Sequence, residues 1–376
     1  MTQRLYDLIL DRPRERPDPA ARQVLGVLPG EGIGPEVIGA SLRVLTALET
    51  ATGCSFEVRT GGFIGRQAEA LGGEALSDEV VDFCQGVFED GGAVLAGAGG
   101  GRFVYDLRRR FDLFCKLSPL RSYAELQGVS RLQSTFASDI DILVIRENIG
   151  GIYQGEQWEE HSEPAGRTVF QRFSYSESQV KRILGVAGRI ARARRGVLAV
   201  VIKEGGMEQM SALWRDCAAD ATRDLGLDCT FLDVDYAAYC MVQHAQELDV
   251  VVAPNLFGDM LSDVGSIVAG SRAVSYGASF SSDGCAVYQT NHGSAYDLAG
   301  SDQANPVGQL LSMAMMLRES YGLEKQAELV ERAIRVVWQE GWRTRDLAAD
   351  GTRTLGTRAM GERIAAAVAS LADGPG

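Results

Sequence analysis

Apolar residues in this chain recur in two patterns, short continuous runs and longer stretches with a helical period, and the two alternate along most of its length. The runs predict strands at Gln23–Leu28, Phe56–Arg59, Ala93–Ala96, Asp139–Ile145, Val197–Ile202, Cys229–Val234, Leu248–Ala253, Val274–Ser282 and Ala286–Thr290. The periodic stretches predict helices at Val37–Thr52, Ser77–Phe88, Phe103–Phe114, Ser176–Arg194, Met207–Leu225, Val307–Tyr321, 324–339 and 356–372. Strands that alternate with helices imply an α/β protein. Residues 156–174 are polar with an alternating second half, which reads as a protruding hairpin, and such hairpins commonly pair with a second subunit. Residues 1–22 read as a polar extension with one short helix at Arg4–Arg12, and the tail from Asp373 as frayed. Cys115–Leu120 receives no element.

Composition narrows the class and the partners. A chain of 376 residues has room for two domains, and 45% apolar with 23% charged residues describes one that buries a large core. A net charge of −13 and no basic run exclude nucleic acid as a partner. The same charge requires any anion site to concentrate its own arginines. Seven scattered cysteines without a C-x-x-C read as free thiols of a reducing cytoplasm. The first 22 residues lack a signal-peptide core, and no run approaches the ~18 apolar residues of a membrane span. A soluble cytoplasmic protein is expected.

Candidate chemistry centres on Asn255–Ser271, which follows the strand that ends near Pro254. A helix starting near Gly258 puts Asp259 and Asp263 on one face, one turn apart. Like charges so placed repel unless a cation joins them or water surrounds them. Their hard oxygen ligands suit Mg²⁺ or Mn²⁺, and the plainer reading is two solvated acids near a helix start. The first strand runs into Pro29-Gly-Glu31-Gly-Ile-Gly-Pro35, a turn that lets backbone N–H groups approach a ligand, although it is not G-x-G-x-x-G. Gly97–Gly101 is a second bare turn. Of the arginines at 102, 108, 109 and 110, helical spacing lets one or two share a site, with Arg108 the choice. Arg146 and Tyr153 follow one strand, Lys203 and Asp235 two others, and α/β sites are built just past strand ends.

Taken in order, these motifs resemble the β-decarboxylating dehydrogenases: isocitrate, 3-isopropylmalate, homoisocitrate and tartrate/D-malate dehydrogenases. The resemblance runs from Val24 to Ala366 and is most specific in Asn255–Ser271 and His292–Pro306. It implies an isocitrate/isopropylmalate dehydrogenase-like two-domain fold, not a Rossmann fold, with residues 1–113 plus 270–376 in one domain and 114–269 in the other. It also implies a homodimer with shared active sites. Asp259 and Asp263 would bind the metal with Asp235 of the other subunit. Lys203, also from that subunit and with its pKa lowered by the cleft, would be the base, and Tyr153 the acid. Arg108 and Arg146 would hold carboxylates. The cofactor loop would comprise His292, Gly293, Ser294, Ala295, Asp297 and Asn305. Asp297 favours NAD, since a carboxylate accepts from ribose hydroxyls and repels a 2′-phosphate.

The departures from the family pattern shape the substrate expectation. Lys116-Leu-Ser118-Pro119 stands where the family has Asn-Leu-Arg-Pro, so one carboxylate-binding arginine is missing, and Lys116 could replace it if the segment bends. Gly205 replaces an asparagine and Glu31 an aspartate. Arg102 stands where relatives face the 3-substituent with small or apolar groups. The expected activity is NAD- and divalent-metal-dependent oxidative decarboxylation of a 3-substituted malate with a polar or anionic 3-substituent. The alternatives are a 3-isopropylmalate or tartrate/D-malate dehydrogenase, in which Ser118 merely enlarges the pocket, and a non-catalytic regulatory homologue.

Overall fold

A computed structural model describes residues 4–12, 18–129, 139–155, 157–164, 166–223, 225–267 and 270–373. The expected fraying after Asp373 and parts of the N-terminal extension lie outside these residues. Ten strands form one sheet, in the spatial order β2 (Phe56–Thr60), β1 (Gln23–Leu28), β3 (Ala93–Ala96), β12 (Ala286–Thr290), β11 (Tyr276–Phe280), β4 (Cys115–Arg121), β5 (Asp141–Glu147), β10 (Val250–Ala253), β8 (Leu198–Ile202) and β9 (Cys229–Asp233). β11 is antiparallel to both β12 and β4, and β4 is antiparallel to β5. The remaining neighbours are parallel. The two flanks of the sheet therefore run in opposite directions, and the reversal falls at β11–β4–β5.

The reasons are local for most elements. β10 is a run of three valines and an alanine with every residue buried, as a parallel strand covered on both faces must be. The helix α2 (Gly34–Thr52) starts with Pro35 in its first turn and ends at Gly53 with φ 74°. The helix α6 (Glu177–Ala193) is closed by a capping box between Ser176 and Gln179. The remaining helices that matter below are α3 (Gly65–Ala70), α5 (Phe103–Arg110), α8 (Val234–Gln243), α9 (Asn255–Gly265) and α10 (Val307–Glu319).

Four expectations need correction. Cys115–Arg121, where no element was assigned, is the strand β4 in mid-sheet. Its pairing to β11 stops at Leu117, so the N–H that Pro119 lacks is not called for on that side. The helix expected to reach Phe114 ends at Arg110, and Asp112 follows with φ 45°. The short helices α3 and α8 were not foreseen, and α8 sets Asp235 in a helical first turn instead of a loop. The N-terminal extension is not a polar appendage: α1 (Leu5–Ile9) buries Tyr6, Leu8 and Ile9. There Tyr6 N donates to the Glu319 carboxylate at 3.0 Å, and Arg189 Nε donates to Leu8 O at 2.8 Å. The expected hairpin is present as β6 (Gln157–Glu163) and β7 (Gly166–Arg172), which among the described residues pair with each other alone.

Candidate active site

At the strand reversal the β4–β5 register sets Lys116 opposite Arg146, so both side chains share one face of the sheet. The period of two puts Ser118 on that face as well, and no bend of the segment is needed. Arg146, 3% exposed, donates from Nε to Asn255 Oδ1 at 2.8 Å and pairs through Nη1 with Asp259. Asn255 also donates from Nδ2 to Gly150 O at 2.7 Å, tying the start of α9 to the loop that carries Tyr153. Tyr153 Oη donates to Asp259 Oδ2 at 2.9 Å, and the Arg146 guanidinium lies 5.4 Å from the centre of its ring. The last turn of α5 supplies Arg108, 5% exposed, whose Nε has no hydrogen-bond partner among the described residues. Tyr105, one turn earlier on the same helix, lies 5.2 Å from the Tyr153 ring and bridges the two.

Charge in this pocket is strongly coupled. Burial, then the like charges of Arg108 and Arg146, holds the buried Lys116 well below its usual pKa. Burial and Arg146 lower Arg108 to about 9. Burial and then Asp259 push Tyr153 up to about 12. For Asp259 burial works upward, but Arg146, Lys116, Tyr153 and Arg108 outweigh it, and its carboxyl sits below the ordinary range. A pocket with two guanidinium groups, a buried amine, one carboxylate and a protonated phenol can bind a polyanion and donate a proton.

Other expected residues lie outside this cluster. Asp263 does face the same side of α9 as Asp259, yet it is held by Arg272, with Nη2 at 2.7 Å from Oδ2. Lys203 Nζ donates to Asp235 Oδ1 at 2.9 Å and lies 3.6 Å from Asp233. No group of three His, Cys, Asp or Glu side chains suited to a metal is formed within one chain among the described residues. The lowered pKa expected for Lys203 is overturned in the single chain, where the hydrogen bond to Asp235 raises it. Arg102 is 45% exposed and 3.4 Å from Asp106, so its charge is balanced on the outside of the helix start. Ser118 Oγ lies 3.4 Å from Asn291 Oδ1.

The expected cofactor loop closes over the first glycine turn. Ile33 N donates to Ser294 O at 2.9 Å, and any Cβ at Gly32, with φ +62°, would collide with that carbonyl. Ala295 takes φ 40°. Tyr296 Oη donates to the buried Glu31 at 2.6 Å, and Glu31 also accepts from Gly100 N and, at the start of α3, from Gln67 N at 3.0 Å. One carboxylate thus joins both glycine turns to the loop. Asp297 and Gly293 are exposed, while burial lowers the pKa of His292. Asn305 is buried, donating to Asp346 at 3.1 Å and accepting from Val307 N at 3.0 Å. Sequence reasoning missed Tyr105, Asn255 and Arg272. Tyr105 had a signal in its three-residue spacing from Arg108, whereas Arg272 had none.

Known proteins match this chain closely in both sequence and fold. Residues 24–364 match the family described as isocitrate/isopropylmalate dehydrogenase. The chain is 35% identical over 360 residues to a 3-isopropylmalate dehydrogenase of Priestia megaterium, covering 92% of this chain and 96% of that one. A 3-isopropylmalate dehydrogenase of Desulfitobacterium hafniense is also 35% identical, over 92% of this chain and 99% of its own. The solved isocitrate dehydrogenase of Methylococcus capsulatus superposes with a TM-score of 0.82 at 28% identity, over 92% of this chain and 99% of that chain.

Proposed function

Because the chain belongs to the isocitrate/isopropylmalate dehydrogenase family, we propose that it performs NAD- and divalent-metal-dependent oxidative decarboxylation of a 3-substituted malate with a polar or anionic 3-substituent. The observation that carries this reading is the cluster of basic side chains at the strand reversal. Arg108, Lys116 and Arg146 face Asp259, while Asp263 is taken up by Arg272. Buried like charges are costly unless an anion joins them, and a hydroxy diacid brings two.

In this reading Arg108 and Arg146 orient the carboxylate that stays on the product. The donor set of α9 fits a hard cation: two carboxylates one turn apart, both now held by cationic side chains. Asp259 and Asp263, with Asp235 of a second copy, would hold Mg²⁺ or Mn²⁺, which would supply the charge that acidifies the 2-hydroxyl. His292, Gly293, Ser294, Ala295, Asp297 and Asn305 would hold NAD, which would supply the acceptor for the hydride from C2, the exposed Asp297 favouring it over NADP. Lys203 takes the hydroxyl proton from the neighbouring subunit. For that transfer its hydrogen bond to Asp235 must open. Tyr153, protonated throughout the neutral range, returns a proton to C3 once CO₂ has left.

The two-domain division fits the sheet order. β2, β1, β3, β12 and β11 come from residues 1–113 and 270–376, and β4, β5, β10, β8 and β9 from residues 114–269. A homodimer would cover Tyr236 and Tyr239 of α8, Met260 of α9, and Val169 and Phe170 of the hairpin, all of which are exposed. No helix is long and apolar enough to cross a membrane among the described residues, and seven free cysteines fit the cytoplasm.

The test is reduction of NAD and of NADP across D-malate, tartrate, isocitrate and 3-isopropylmalate. At least one should yield NADH in preference to NADPH, with activity lost in EDTA and restored by Mn²⁺. Failure of every 2-hydroxy diacid would favour the non-catalytic homologue.

A further inference from the structure

Ala295, with φ 40°, sits in a backbone region that a residue with a Cβ keeps only where its neighbours hold it. Both neighbours are anchored to the first glycine turn. Before it, Ser294 O accepts from Ile33 N at 2.9 Å. After it, the Tyr296 phenol donates to the Glu31 carboxylate at 2.6 Å. Asp297 follows directly. Packing does not account for Tyr296, which is 46% exposed and has the Arg66 guanidinium 5.2 Å from the centre of its ring. Glu31, by contrast, is a fixed anchor. It is 5% exposed and also accepts from Gln67 N at 3.0 Å, Arg66 N at 3.4 Å and Gly100 N, so it stays in place without Tyr296. A Cβ at Gly100 would meet both the phenol oxygen and the carboxylate, so a glycine there permits the close approach. Burial and then the Glu31 charge raise the pKa of Tyr296, which keeps the phenol a donor.

We infer that Tyr296 is a positioning residue of the cofactor site: its bond to Glu31 holds Ala295 in the left-handed region and so fixes the place of Asp297. The inference rests on the cofactor reading proposed above and adds to it a residue that acts through Asp297. One hydroxyl, bonded to a buried charge, thus decides how much of the loop is already ordered before a cofactor arrives.

Tyr296→Phe keeps the ring beside Arg66 and removes the hydroxyl. The Kd for NADH and for NADPH is measured by calorimetry, and KM for NAD and kcat with Mn²⁺ and whichever 2-hydroxy diacid is oxidised. Tyr296→Phe should raise the Kd of the preferred cofactor and the KM for NAD about 5- to 50-fold and leave kcat within about threefold. An unchanged Kd, or a fall in kcat at constant KM for NAD, overturns the inference. A double-variant cycle with Glu31→Gln shows whether the phenol acts through Glu31. In that background the penalty of Tyr296→Phe should be smaller by at least about threefold, and an equal penalty overturns the inference. Hydrogen exchange on the ligand-free protein needs no turnover: amides of residues 295–300 should exchange faster in Tyr296→Phe than in wild type, and those of α9 at the same rate. If wild type binds neither cofactor, the cofactor reading fails; faster exchange at 295–300 then leaves Tyr296 as the residue that holds the loop, and equal exchange removes that role too. Thermal melting checks that each variant folds; should Glu31→Gln not, Glu31→Asp, too short to reach the phenol, completes the cycle.

Discussion

Tyr153 illustrates how single side chains acquire chemistry here. Burial and Asp259 both push its phenol up, to about 12, so it holds its proton wherever the enzyme works. Tyr153→Phe should therefore lower kcat by roughly 10²- to 10⁴-fold, move KM little and leave the melting temperature nearly unchanged. An unchanged kcat would remove Tyr153 from the proton path. Lys203 teaches the opposite lesson. Its place after a strand was legible in the sequence, but its protonation state depends on Asp235, 32 residues away, whose hydrogen bond raises the pKa instead of lowering it.

At the scale of elements, α1 and α10 are joined through Glu319. Burial pushes this carboxyl from its ordinary 4.5 to about 7, although the hydrogen bond from Tyr6 N pulls the other way. The folded protein thus holds the proton more tightly than the unfolded chain. The stabilisation is complete below 4.5 and is lost as pH rises through about 7. Glu147 of β5, also raised to about 7 by burial, acts in the same direction. Glu319→Gln keeps the shape without the charge, so it should lose less stability than wild type between about pH 5 and about pH 8 in urea titrations. Equal losses would show that Glu319 is not a buried acid in the folded state. Apolar runs such as β10 and capped helices such as α6 could be read from sequence because their signals lie within a few residues. β4 could not, since a strand with Lys, Ser and Pro is stable only between β5 and β11.

At the scale of the whole molecule, the proposed site draws Lys203 and Asp235 from a second copy. Lys203→Ala and Tyr153→Phe should each be inactive, yet after subunit exchange about half the dimers are mixed and one site in each is intact. About a quarter of wild-type activity should return, measured as NADH formation after mixing. No recovery from demonstrably mixed dimers would place Lys203 and Tyr153 in the same subunit's site or in none. The sequence by itself determined the alternation of strands and helices, the family, and the placement of Asp259 and Asp263 one turn apart, because these follow from local periodicity and contiguous motifs. Only the tertiary structure decided that Arg108, Lys116 and Arg146 meet, that Arg272 holds Asp263, and that the N-terminal helix is buried. Those facts depend on which strands pair and where side chains point, and both are set by contacts between residues far apart in the chain.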